Sequence, residues 1–277
     1  MLGTSRLCLP NELILLILDE VHRLRDYQGL ASMTRSSSAL YVLATPWLYR
    51  TVCLRHPTSS DVFHTTLISK PALAPHVRSL ILGASAGAQL AHLEPNFLAR
   101  CPNLAIIQVL HFRSTSAEEG VITLISASSA RRLALEYTVP SPLAIVAALA
   151  EHVDYAKSLE HLHIMCSLPF VLPATVLDMS AFHSLRDISL TIQISTANIG
   201  FGRVVSLFMT APRLERLRVF LYPHAKADQA LSNGSGYMPD PRIQVVTIDI
   251  ESETQYEAGT LVARHEKGEI DMWDYGV

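Results

Sequence analysis

The stretch His161-Leu162-His163-Ile164-Met165-Cys166 gathers two imidazoles, a thioether and a thiol, all side chains that bind metals. In a strand, His161, His163 and Met165 share one face while Leu162, Ile164 and Cys166 share the other. Two histidines at i and i+2 open a metal site only if a third ligand joins them, and the sequence places no carboxylate nearby. They read as solvent-facing strand residues. The segment Gly200-Phe201-Gly202-Arg203 has two glycines ahead of a helical pattern. It lacks the third glycine of a dinucleotide fingerprint and the acidic residue about 20 positions later, so it reads as a loop-to-helix turn. There is no P-loop and no nucleophile elbow. Cys8, Cys53, Cys101 and Cys166 are far apart, so no close pair offers zinc or redox chemistry. Their apolar neighbours fit buried free thiols in a reducing compartment. The sequon at Asn233 lies in a stretch, 232–240, that reads as a loop lengthening one connection. The expectation is a protein that is not an enzyme and takes no metal or cofactor.

What must position these residues is a substantial core. The 277 residues are 49% hydrophobic and 17% charged, ample apolar material for a folded chain. A net charge of -3 leaves no electrostatic footprint for nucleic acid. From Asp249 onward acids outnumber bases, which reads as a solvated end. The apolar run at 13–18 is too short to span a bilayer, is bracketed by Glu12 and Asp19-Glu20, and has no cleavage site after it. An intracellular protein, cytoplasmic or nuclear and with no membrane partner, is expected.

Short blocks of the form apolar-x-x-apolar-x-apolar recur along the chain. Their fourth positions are Val52, Leu80, Ile107, Leu133, Leu162, Ile188, Leu217 and Val246, separated by 26–29 residues. The end of each block alternates with period two, the mark of a short strand with one buried face. Between blocks lie segments with helical spacing at 61–69, 90–100, 117–126, 142–155 and 196–210. Ser141-Pro142 places a cap before a first-turn proline. Strand, turn and helix at about 27 residues is the arithmetic of a leucine-rich repeat. One such unit cannot cover its own apolar face, so neighbours must stack, with a parallel sheet on the concave side and helices on the convex side.

The residues between the apolar strand positions then face the concave side. Among them are Arg132, Glu136, His161, His163, Asp187, Arg216 and Arg218, and in the last block Val245, Thr247 and Asp249. Arginines suit carboxylate or phosphate. We expect this strip to recognise a protein client.

The first fifty residues leave the repeat and read as helices at 11–24, 27–36 and 38–44. In the first, Leu13, Ile14, Ile17, Leu18 and Val21 make one amphipathic face, yet Leu15 and Leu16 are apolar as well. Three helices this small have too little interior to hide so much aliphatic surface, which points to a protein partner.

Two resemblances follow from these phrases. Residues 49–250, with "CPNLAIIQV" at 101–109 and "APRLERLRV" at 211–219, resemble the irregular leucine-rich repeats of fungal and animal F-box proteins. "LPNELILLILDEV" and "LASMTRSSSALYVLATPWLYRTV" resemble the F-box itself, although Thr34-Arg35-Ser36 stand where that family often has a cysteine and a tryptophan. The implied architecture is α/β: a helical F-box-like domain at 1–48, then a leucine-rich-repeat solenoid at 49–277 with a curved parallel sheet. The implied function is the substrate-recognition subunit of an SCF-type ubiquitin ligase. Leu9, Pro10, Leu13, Ile14, Ile17, Leu18, Leu30, Met33, Leu40 and Leu43 would contact the cullin adaptor, and the repeats would hold the client. The alternative is a non-ligase interaction scaffold in which a degenerate F-box caps the solenoid.

Overall fold

The computed structural model describes residues 9–24, 26–112, 118–137, 142–167, 179–193, 201–222 and 240–247. Glu136 and Cys166 lie on described strands, but their side chains are outside the description, as are Cys8, the 232–239 loop and everything from 248 onward, Asp249 included.

Three helices come first: α1 (Asn11–Arg23), α2 (Tyr27–Ser36) and α3 (Ser38–Arg50). Asp26 caps α2 by accepting from Gly29 N at 2.8 Å, and Ser37 caps α3 by accepting from Leu40 N at 3.1 Å. A short polar side chain at the N-cap satisfies an amide the helix cannot. The spacing had suggested that the third helix stops at residue 44. It continues through Pro46 to Arg50. A proline inside a helix costs about 3 kcal/mol. Here Thr45 Oγ1 donates to Tyr41 O at 2.6 Å just before the proline, and the turn after it inserts Trp47 and Leu48 into the headpiece core and Tyr49 into the next one. Packing on both sides outweighs the local penalty.

Eight strands follow in one sheet: β1 (Thr51–Leu54), β2 (Ser79–Gly83), β3 (Ile106–Phe112), β4 (Arg132–Tyr137), β5 (His161–Ser167), β6 (Asp187–Gln193), β7 (Arg216–Tyr222) and β8 (Ile243–Thr247). All neighbours are parallel, spatial order equals chain order, and the sheet is curved and unclosed. Helices α4 (Pro57–Ser69), α5 (Ala84–Leu93), α6 (Glu118–Ser126), α7 (Pro142–Glu151), α8 (Val153–Ser158) and α9 (Phe201–Phe208) lie between the strands in sequence. The expected helix at 90–100 is instead the end of α5 and a separate 3-10 turn, Phe97–Arg100, and the one at 142–155 is two helices.

The repeat spacing becomes a set of stacked columns. Val52, Leu80, Ile107, Leu133, Leu162, Ile188 and Leu217 pair in register from strand to strand. Two residues later stand Leu54, Leu82, Val109, Leu135, Ile164, Leu190 and Val219, and three residues earlier, from β2 on, Val77, Leu104, Ala130, Leu159, Leu185 and Leu214. All but Val52 are buried, in one cluster with helical residues such as Phe63, Leu90, Leu124, Val146 and Phe208. Hydrogen bonds tie consecutive repeats as well: Ser60 Oγ donates to Ala86 O, buried, at 2.8 Å, and Asn103 Nδ2 to Pro75 O at 2.8 Å.

The eighth block enters differently. Leu217 pairs with Ile243, not Val246, so the last strand sits three residues from the register the spacing implies. Ile243 and Val245 therefore pack on the main core, and Val245 does not belong to the opposite face, while the side chain of Thr247 is outside the description. The block Ile-x-Val-Val-x-Ile alternates acceptably in both settings, so pattern cannot choose between them. A local turn does: Asp240 accepts from Arg242 N at 2.9 Å and from its guanidinium at 3.0 and 2.8 Å, where the earlier repeats carry a buried apolar residue.

Burial pushes the Cys101 thiol up to about 11, as an inert core cysteine requires. Cys53, expected to be buried, is exposed on the strand face opposite the core. Among the described residues no helix is long and apolar enough to cross a membrane. Replacing Val245 with Asp should destabilise the chain by about 2 kcal/mol, because a carboxylate is forced against the core, while Gln244→Asp should change it by under about 1 kcal/mol. Urea unfolding of the two variants checks the register; the opposite order contradicts it.

Candidate functional site

The headpiece has its own core. Leu18, Leu30 and Ala44 are fully buried at its centre, with Ile14, Val21, Tyr27, Met33, Leu43, Trp47 and Leu48 packed around them. This corrects two of the expected partner contacts: Leu18 and Leu30 are 0% exposed and hold the three helices together. Ile14, Met33 and Leu43 are half-buried against them, and Leu40 is half-buried too. The helical period explains the division. Ile14, Leu18 and Val21, at i, i+4 and i+7, turn inward. Leu13 and Leu16 fall on other faces and are exposed at 46% and 66%, and Leu9 and Leu24, beyond the two ends of the helix, at 55% and 63%. Pro10, Leu15 and Ile17 are also exposed, and so are Tyr41 and Val42 on α3. Leu16, Leu24, Tyr41 and Val42 were not among the expected contacts. The signal for Leu16 was the apolar run itself, too long for one helix face. Glu12, Asp19 and Glu20 flank the stripe with negative charge.

The second surface is the sheet face turned away from the main core, here called the inner face. It carries a separate apolar cluster of Ile81, Leu110 and Ala134 with Ile106. Register then assigns rows. The middle row runs Gln108, Ala134, His163, Ser189, Arg218, and the first row runs Ser79, Ile106, Arg132, His161, Asp187, Arg216.

The middle row is closed. His163 is 0% and Arg218 1% exposed, so neither is presented to solvent, contrary to the alternation-based expectation. Gln108, Ser189 and Thr191 are buried with them. The same face buries Ile81, Leu110, Ala134, Met165 and Phe220, so the polar side chains lie among apolar ones; period two assigns a face but not its exposure. The accessible part of the expected client strip is the first row, where Ser79, Ile106, Arg132, His161 and Arg216 are half-buried.

Within that row three expected residues meet. Asp187 Oδ1 accepts from Arg216 Nε at 2.6 Å, and Asp187 Oδ2 lies 3.1 Å from His161 Nδ1. No carboxylate stands near the histidines in the sequence; the parallel register supplies one from the next strand. Burial by itself would raise the Asp187 carboxyl pKa, but the hydrogen bonds from His161 and Arg216, with their charges, outweigh it and hold the group well below the usual carboxylate range. The preceding positions form a second rank of pairs: Arg131 with Glu160 at 2.9 Å and Arg186 with Glu215 at 3.7 Å. Chemically the row is a lip that holds a carboxylate fixed between an imidazole and a guanidinium, with the Arg132 guanidinium two strands from it. Among the described residues no three His, Cys, Asp or Glu side chains converge on a metal position; α9 begins at Phe201, and Gly200 of the glycine pair lies outside the described residues.

Because folding lowers the Asp187 pKa, the native state binds fewer protons than the unfolded chain there. The stabilisation is complete above the unfolded value of about 3.9 and is lost as pH falls through the folded value. Asp187→Asn should therefore destabilise the chain by about 2 kcal/mol at pH 7, with the gap to wild type shrinking below about pH 4. Denaturant melts across that range check it; a gap that widens in acid contradicts the assignment. No protein-family model matches the chain, and no curated protein matches it.

Proposed function

We propose that the chain is a substrate receptor of an SCF-type ubiquitin ligase, with the headpiece docking on the cullin adaptor and the sheet holding a protein client. One observation carries the reading: α1 has a second apolar face. The inward residues Ile14, Leu18 and Val21 satisfy the headpiece core, yet Leu13, Leu16 and Ile17 on the helix, with Leu9 just ahead of it, remain outside that core. Exposed aliphatic side chains contiguous along a helix mark a partner surface. The acids Glu12, Asp19 and Glu20 beside them disfavour a second copy of the same face, since like charges would meet, and favour a partner with a basic rim.

Capping of the solenoid, the alternative role for these helices, uses different residues. Tyr49 at the end of α3 packs against the main core, and α3 runs directly into β1. The cap therefore leaves the α1 stripe unspent. In this reading the chain performs no bond chemistry. It raises the effective concentration of a client beside a catalytic centre on other subunits.

The test is capture of the recombinant cullin adaptor by the whole chain. Leu13→Asp with Ile17→Asp should weaken capture by about 100-fold or more, since buried aliphatic anchors contribute roughly 2 kcal/mol each at such interfaces. Both side chains are more than two-fifths exposed, so the thermal midpoint should hold within a few degrees. Capture that survives the double change in a folded chain contradicts the proposal.

A further inference from the structure

Along the entrance of the later strands, four acids are each matched by an arginine. Glu160 takes Arg131 at 2.9 Å, Asp187 takes Arg216 at 2.6 Å, Glu215 takes Arg186 at 3.7 Å and Asp240 takes Arg242 at 2.8 Å. Arg132 is different. Its side chain has no hydrogen-bonded or ionic partner among the described residues. The backbone fixes its place: it pairs with Ile106 on one side and His161 on the other, two residues before buried Ala134, and so shares the inner face. It is half-buried, so part of its hydration is already lost.

The surroundings say what fits. Ile106 beside it is half-buried on the Ile81, Leu110 and Ala134 cluster and offers an apolar shelf. On the other side, Asp187 is already met by His161 and Arg216, so among the described side chains no unmatched negative charge on the neighbouring strands opposes an anion arriving at Arg132.

We propose that this first row is a docking site for an acidic peptide segment, with one Asp or Glu carboxylate forked on Arg132 and an aliphatic side chain resting on Ile106. The inference rests on the reading of the chain as a client receptor and names the class of client. A carboxylate is favoured over a phosphate because one unmatched guanidinium balances one negative charge, whereas a phosphoryl group carries about two. Nucleic acid is disfavoured by the chain's net charge of -3. Adjacent strands are about 4.8 Å apart, so the acid and the aliphatic residue stand one or two positions apart in an extended peptide.

The probe is a synthetic library of short peptides in a Gly–Ser background, each with one aliphatic residue and one variable neighbour, presented to the immobilised full chain. Asp and Glu should be selected over Asn and Gln at the variable position. For a selected peptide, Glu to Gln in the peptide and Arg132→Gln in the protein should each weaken binding by about tenfold or more, the scale of a charge-assisted hydrogen bond. The two changes together should weaken it no further than either alone. Arg131→Gln, one position away, exposed and already paired, should leave affinity within about twofold. Selection without an acid, tighter binding of the phosphoserine counterpart, or unchanged affinity of a folded Arg132→Gln chain overturns the proposal. The peptide arm does not use α1. Adaptor capture without acidic selection defeats this inference alone, and acidic selection without adaptor capture defeats the ligase reading alone.

Discussion

Each strand–helix unit here exposes more apolar surface than it can cover, and the rest of the molecule follows from that. The columns built on Leu80, Ile107, Leu133, Leu162, Ile188 and Leu217 are sealed only because another unit stands on either side. A single cluster consequently runs from Leu54 to Val219. Stability in such a stack is a sum of neighbour terms, and its first unit needs a lid. Tyr49 and the end of α3 supply it. The headpiece is thus fastened at one corner, with its own centre at Leu18, Leu30 and Ala44, and α1 keeps a face that neither core consumes.

The same register organises the charges. Residues at equivalent positions of consecutive repeats lie side by side, so partners 29 residues apart meet directly: Arg131 with Glu160, and Asp187 with Arg216. Placed two steps and one step before the apolar column respectively, these pairs line the entrance to the sheet. Further along the strands the inner face mixes Met165 and Phe220 with His163 and Arg218, and all four are buried. The inner face is therefore functionally uneven. Its first row is a half-open lip of fixed charge, and its middle is interior.

Much of this was legible because spacing is a one-dimensional property of both the sequence and the fold. Seven of the repeat positions, Val52 through Leu217, pair as their spacing implies. The eighth escaped because its block alternates in two settings and the Asp240–Arg242 turn, a contact between side chain and backbone, decides between them. Period two assigns a residue to a face but says nothing of whether that face is open, which is why His163 and Arg218 were expected in solvent. The headpiece shows the complementary limit. Periodicity marked α1 as amphipathic, yet with apolar residues all round it could not say that Leu18 turns in while Leu16 turns out. Pro46 misled in the ordinary way, since a local rule lost to packing at Trp47 and Tyr49.

Hydrogen exchange on the full chain, alone and with the recombinant cullin adaptor, tests the central claim most directly. The account predicts slowed exchange over Asn11–Arg23 when the adaptor is present, with strands β2 to β7 unchanged. Exchange over that helix left unaltered by the adaptor, or protection confined to the sheet, contradicts it.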